Sequence, residues 1–268
     1  FQAMGSVLNN LGSIGCIDAW IVCCDRGADA AHREEILRAM PWVTLICKGE
    51  GLHRHPVSMN LLLACVRTEY WLQWEDDWEL PRSIDMLSQA RQVMRESKVH
   101  QLALNGAWQL QDSAWGAFQP HEHLRERTTL GGSTYLELLY PESHRQRCKT
   151  EPLDSLIDGY LAGVQPSIER AKGSKVLLWP LYRNQPSLND TAFLRSLGDF
   201  NESPNYNPSG SYWKFEFDYG VRFVNAGGRK ATLVCGPPFQ SGAARSIACG
   251  SSSGFHVKES EEFKAQRT

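Results

Sequence analysis

Tyr70-Trp71-Leu72-Gln73-Trp74-Glu75-Asp76-Asp77-Trp78 is the stretch whose reading decides the fold. Tyr70 to Trp74 is a short, mostly apolar and aromatic run, which is how a strand buried on both faces presents itself. It stops at three consecutive carboxylates. Toward the N-terminus the same kind of run recurs. Val57 to Thr68 is rich in Leu and Ala and opens behind Pro56, whose missing N–H costs nothing in a first helical turn. Before it, Val43 to Cys47 reads as a strand ended by Lys48-Gly49-Glu50-Gly51, and Ala30 to Met40 as a helix. Trp20 to Cys24 reads as another strand running into Asp25-Arg26-Gly27, and Met4 to Leu11 as a short amphipathic segment broken by Gly12 and Gly15. Strand, helix, strand, helix, strand predicts right-handed βαβ units: an α/β fold of Rossmann-like type, with a mostly parallel central sheet flanked by helices in an α/β/α sandwich. Ligands of such sheets bind at the carboxyl ends of the strands. Asp25 and the Glu75-Asp76-Asp77 run both fall at that edge.

Toward the C-terminus, Ser83 to Glu96 predicts a helix and Val99 to Leu104 a strand. Trp108 to Glu151 mixes Gly, His, Arg and Thr with short apolar pieces such as Tyr135 to Tyr140, which suggests hairpins. Val176 to Trp179 reads as a strand, and Asn201 to Ser211 as a polar loop. Trp213 to Val224 has two readings. Its aromatics alternate as in a strand, yet Trp213, Phe217, Val221 and Val224 form a helical stripe with Asp218 and Arg222 in i,i+4 register. Pattern alone leans slightly to the strand.

With 268 residues and 42% hydrophobic content, the chain buries one substantial core, and we expect a single domain over 1–250 with a polar tail over 251–268. A net charge of -2 offers no basic field for nucleic acid, so none is expected as a partner. The eight cysteines include no CxxC pair, which argues against structural zinc and for free thiols. No apolar run approaches a membrane span, and the first residues lack a signal-peptide pattern. Because the sequence starts at Phe1 in helical pattern, an upstream strand or anchor is expected to be missing, and membrane association would come only through it. Sequons at Asn189 and Asn201 do not decide the compartment, which stays open between cytoplasmic and membrane-associated or Golgi-type.

Three adjacent carboxylates repel one another, so a fold that gathers them commonly offsets the cost with a cation. Hard oxygen ligands suit Mg²⁺ or Mn²⁺, and a strand-end acidic pair leaves room for substrate phosphates in the metal's shell. A nucleotide diphosphate would complete that shell, the metal neutralising charge on the leaving group. The alternative is a solvated turn. The flanking aromatic strand and Trp78 argue that the turn is anchored.

The Tyr70 to Trp78 stretch resembles the strand and acidic motif of family 2-like glycosyltransferases of the GT-A fold. Other pieces fall in matching order. Trp20 to Asp25 resembles a strand whose terminal Asp contacts the nucleotide, and Ser58-Met59-Asn60 resembles the segment before the acidic motif. Pro186-Ser187-Leu188, Leu197-Gly198-Asp199-Phe200, and Phe215-Glu216-Phe217-Asp218 with Arg222 resemble the acceptor-side region. The resemblance implies a nucleotide-sugar-binding half over about 1–105 and an acceptor-side half over about 106–250. It implies Asp77 as main metal ligand, with Asp76 or Glu75 assisting or touching the donor sugar, Asp25 on base or ribose, and Asn60 in the donor site. It also implies a helix over Trp213 to Val224, adopted here, with Glu216 or Asp218 as general base, Glu216 preferred. The expected donor is a UDP- or GDP-sugar, and the acceptor a glycan, lipid or protein hydroxyl. The family's first strand and a clear third ligand are lacking, His256 being the one late histidine. His53 and His55 are candidates for donor phosphate.

Two other functions fit parts of this pattern. A GT-A-like nucleotidyltransferase would release pyrophosphate from a triphosphate. A non-catalytic carbohydrate-binding protein would use aromatics such as Trp108, Trp115 and Tyr212 as sugar platforms.

Overall fold

The short apolar runs become strands, and the order in which they pair sets the site. The computed structural model describes residues 2–24, 30–49, 52, 54–76, 78–80, 85–104, 124–159, 181–182, 184, 186–203, 214–234 and 239–240. In chain order these form α1 (Gln2–Asn10), β1 (Ile21–Cys24), α2 (Ala30–Ala39), β2 (Thr44–Cys47), α3 (His55–Cys65), β3 (Tyr70–Gln73), β4 (Trp78–Glu79) and α4 (Met86–Ser97). There follow β5 (Gln101–Ala103), β6 (Leu124–Thr128), β7 (Thr134–Leu138), α5 (Glu142–Thr150), β8 (Ser187–Asp190), α6 (Thr191–Ser196), α7 (Lys214–Asn225), β9 (Lys230–Leu233) and β10 (Phe239–Gln240). Residues 153–159 are also helical. The predicted strand over Val176 to Trp179 and the tail over 251–268 lie outside the described residues.

The fold is mixed α/β, but the expectation of a mostly parallel sheet is corrected. The main sheet has six strands in the order β3-β8-β5-β9-β7-β6. Within it, β5–β9 is the parallel pair; β3–β8, β8–β5, β9–β7 and β7–β6 are antiparallel. Parallel β1–β2 and antiparallel β4–β10 stand as separate ribbons. β8 supplies two of the four antiparallel pairs. Ser187-Leu188-Asn189-Asp190 lacks the apolar run of a central strand, and no strand is expected there from the sequence. In the sheet it sits between β3 and β5, with Ser187 and Asn189 fully buried. Their polarity is satisfied sideways: Asn189 Nδ2 donates to Ser187 Oγ at 3.0 Å and to the Trp71 carbonyl at 3.3 Å, while Gln101 Nε2 donates to Asn189 Oδ1 at 3.0 Å. Buried amides are tolerated when their hydrogen bonds are made, and here they are. The hairpin expected near Tyr135 is present as β6 and β7.

Helices pack against the main sheet in two clusters of buried residues. Strand periodicity sends Trp71 to one face and Tyr70 and Leu72 to the other. Trp71 joins Met59 and Leu63 of α3, Leu194 of α6, and Phe215 and Phe223 of α7. On the opposite face Leu102, Leu188 and Leu233 meet Val7 of α1 and the Met86, Ala90, Val93 stripe of α4. That i, i+4, i+7 spacing is a helix showing one apolar face, each large side chain contributing about 1.5–3 kcal/mol of transfer free energy. The Asp190 side chain closes β8 and caps α6, accepting the Phe193 N–H at 2.8 Å. Within the ambiguous Trp213 to Val224 stretch, the described residues 214–224 are helical. Phe215, Phe217, Tyr219 and Phe223 are all buried, since α7 is covered on more than one side and its aromatics need not follow a single stripe. Among the described residues, no helix is long and apolar enough to cross a membrane, and the described cysteines are free thiols.

At the start of β5, the His100 ring stacks on Phe193 at 3.8 Å and meets Phe223 edge-on, while its Nδ1 accepts the Arg229 N–H at 3.1 Å. Burial first, opposed by Asp190 and helped by Arg229, holds the imidazole below its ordinary 6.5. With the folded value below the unfolded one, the neutral ring's contribution is complete above the ordinary value. It is lost as pH falls through the folded value. Urea midpoints measured at about pH 7.5 and about pH 5 should therefore fall with pH in the wild type. His100→Phe, which keeps the stack, should flatten that part of the fall; an unchanged pH slope would remove His100 from it.

Candidate functional site

β3 delivers Trp74, Glu75 and Asp76 just beyond its own carboxyl end, and tryptophans hold the turn there. The Trp74 indole N–H donates to the Trp78 carbonyl at 2.9 Å, and the Trp78 N–H reaches back to the Glu75 carbonyl at 3.4 Å. Trp78 and Leu80 are buried. From α1, Ser6 Oγ accepts the Leu80 N–H at 3.0 Å and Asn10 Nδ2 donates to its carbonyl at 2.6 Å. The acidic turn is thus anchored, as its aromatic flanks imply.

Around it stand groups from three other elements. His55, first residue of α3, places Nε2 3.8 Å from Glu75 Oε1, and its ring leans on Phe215 of α7 at 5.1 Å. Behind it, buried Lys48 at the end of β2 donates to Ser58 Oγ at 2.7 Å and to the Arg54 carbonyl at 3.2 Å, fastening the start of α3. Glu216, in the first turn of α7, accepts the Asn184 backbone N–H at 2.7 Å through Oε1. Tyr182 lies fully buried beneath, donating to Gln73 Oε1 at 2.8 Å. Burial pushes the Tyr182 hydroxyl well above its usual range, and Tyr219, Glu216 and Glu75 add to it in that order. Glu75 and Glu216, far apart in sequence and on different elements, are linked through His55, which neighbours Glu75 and leans on Phe215, the residue before Glu216.

The residues singled out from sequence separate into three groups. Glu75 and Glu216 are linked as just described, and Asp76 sits exposed on the turn between Glu75 and Trp78. Asn60 and Asp218 are engaged in other contacts. Both donor positions of Asn60 are engaged, by the Phe200 carbonyl at 3.0 Å and Glu202 Oε1 at 2.6 Å, and its Oδ1 accepts the Phe200 N–H at 2.7 Å. Asp218 binds Arg222 at 2.8 Å, and Arg222 also donates to the Leu197 carbonyl at 2.8 Å. Asp25, Asp77 and His53 lie outside the described residues, as do Trp108, Trp115, Tyr212 and His256.

Sequence reading missed Gln73, Tyr182, Asn184 and Lys230. Gln73 carries a signal, being the one amide inside an otherwise apolar run. Tyr182 and Asn184 follow no period and carry none. Lys230 opens β9, is 2% exposed, and donates to the Leu181 carbonyl at 2.6 Å.

As for a metal, no group of three or more His, Cys, Asp or Glu side chains suited to hold one occurs among the described residues. Glu75 and Asp76 are hard oxygen donors on one anchored turn. That suits a cation taking one or two carboxylates and filling its shell with water and phosphate, not one caged wholly by protein. No family model, no curated protein and no solved structure matches this chain.

Gly220, one turn beyond Glu216 on α7, sets how closely the helix approaches this segment. A Cβ there would run into the Leu181 side chain and come within 3.1 Å of the Tyr182 nitrogen. Gly220→Ala should push α7 away and destabilise the fold by about 1–3 kcal/mol, the usual cost of overpacking. A urea midpoint equal to wild type would show that the contact yields freely.

Proposed function

We propose that the protein is a glycosyltransferase of GT-A type, moving a sugar from a UDP- or GDP-sugar to a hydroxyl of a glycan, lipid or protein with the help of Mn²⁺ or Mg²⁺. The supporting observation is that His55 stands 3.8 Å from Glu75 on the strand-end acidic turn while its ring leans on Phe215, the residue before Glu216, so the turn and the start of α7 are neighbours. Two separately anchored acidic groups in one neighbourhood suit two tasks: holding a cation with its diphosphate, and accepting a proton.

In this reading Glu75 and Asp76, with Asp77 from the resemblance, hold the cation, which supplies Lewis-acid stabilisation of the departing diphosphate. Glu216 takes the proton of the acceptor hydroxyl as that oxygen attacks the anomeric carbon. The new carbon–oxygen bond forms as the bond to the diphosphate breaks, with inversion. Asp218 stands two residues on, about 200° around the helix, where Arg222 holds it, so the base role falls to Glu216. Asn60 keeps the Phe200 loop against α3.

Calorimetric titration with UDP and with GDP, in Mn²⁺ and then in EDTA, tests the donor side. Binding should need the metal and vanish in Asp77→Ala; equal binding in EDTA would exclude the metal-diphosphate site. Glu216→Gln should keep nucleotide binding while turnover drops by about 10²–10⁴-fold, the usual worth of a general base. Wild-type turnover in that variant would take Glu216 out of the chemistry.

A further inference from the structure

Beneath the two acidic groups lies a buried polar chain with no apolar reason to exist. Gln73 is the last residue of β3, two positions before Glu75, and is 3% exposed. Its Oε1 accepts the Tyr182 hydroxyl at 2.8 Å, and its Nε2 faces Asn184 Oδ1 at 3.5 Å and Met59 Sδ at 4.0 Å. Asn184 is 4% exposed, and its backbone N–H is the donor that holds Glu216 Oε1. Each of these groups costs free energy to bury, and a leucine at position 73 would pack in the same space without that cost. The amide does what leucine cannot. It ties the strand carrying the acidic turn to the segment carrying the Glu216 anchor.

We propose that Gln73 and Tyr182 are positioning residues, which hold Asn184 so that its N–H fixes the Glu216 carboxylate at a set distance from the acidic turn. This rests on the reading of Glu216 as the base. A bond from a backbone N–H to a carboxylate is charge-assisted and directional, so one such anchor selects one carboxylate placement. Displacing a reacting group by about 1 Å costs on the order of 10²-fold in rate. Tyr182 is itself closely packed. Its ring meets Tyr219 edge-on at 4.9 Å and leans on Phe200 at 5.8 Å. The chain is therefore packed into the core at its Tyr182 end and bears on the site at Asn184.

The test separates positioning from simple stability. Gln73→Met leaves the Tyr182 hydroxyl buried without that acceptor, and Tyr182→Phe leaves Gln73 Oε1 without that donor; each should lower the melting temperature. The double variant Q73M/Y182F removes both partners together and should recover much of that loss, because no orphan remains from this pair. Turnover, read as nucleotide release from UDP-glucose and GDP-mannose, should stay about 10- to 100-fold below wild type in the double variant. Its affinity for UDP with Mn²⁺ should stay within about twofold of wild type. Hydrogen exchange should find the Asn184 amide protected in wild type and exposed in both the Q73M and the double variant. Turnover that recovers along with the melting temperature, or an Asn184 amide still protected in the double variant, overturns the proposal. Glu216→Gln turning over normally would instead refute the base, while the exchange result would still report on the anchor.

Discussion

The Lys230 side chain, buried and donating from Nζ to the Leu181 carbonyl, is the contact on which the site's geometry depends. A polar group taken out of water is retained only where its hydrogen bonds are made. That requirement pins the chain at Leu181 above the sheet. Tyr182 and Asn184 follow at once, Gly220 lets α7 close down on them, and Glu216 receives the Asn184 N–H as a result. The position of one carboxylate thus traces back to a lysine on a strand at the centre of the sheet.

The order of strands converts this local pinning into a site. With β8 placed between β3 and β5, the acidic turn lies at an edge of the main sheet, next to the segment that Lys230 fastens. The polar row of Asn189, Gln101 and Lys230 across β8, β5 and β9 follows the register Gln101↔Asn189 and Gln101↔Lys230. It ties neighbouring strands to one another and, through Lys230, to the Leu181 carbonyl. Rigid elements present the acidic groups on both sides, which suits chemistry that depends on fixed distances.

What was legible in the sequence follows from how each element is buried. β3 and its acidic turn stand out because a strand covered on both faces needs a continuous apolar run, and α2 and α3 because their ends are marked by turn residues and Pro56. β8 was illegible for the opposite reason: of its three buried side chains two are Ser187 and Asn189, whose burial depends on partners such as Trp71 and Gln101. Missing this one strand hides two of the four antiparallel pairs of the main sheet. The strand and helix patterns of Trp213 to Val224 conflicted because α7 is wrapped by neighbours, so its aromatics do not mark a solvent side. In the site, charged residues at strand and helix ends were visible, whereas Tyr182 and Asn184 matter only through contacts that no local pattern encodes.

The β1–β2 ribbon has a further consequence for the behaviour of this corner. It packs with α2 around a small core of Ile36, Met40 and Val43. Trp20 joins that core to the Leu72 side of the main sheet, and Ile21 rests against the Trp71 side. Among the described residues, no backbone ladder connects β1 to β3. Side-chain packing alone joins the two, and a small core with few buried groups opens at lower free energy than the main sheet. On that ground the corner is the part of the described fold expected to open before the main sheet, held back by the Lys48 bonds to the start of α3.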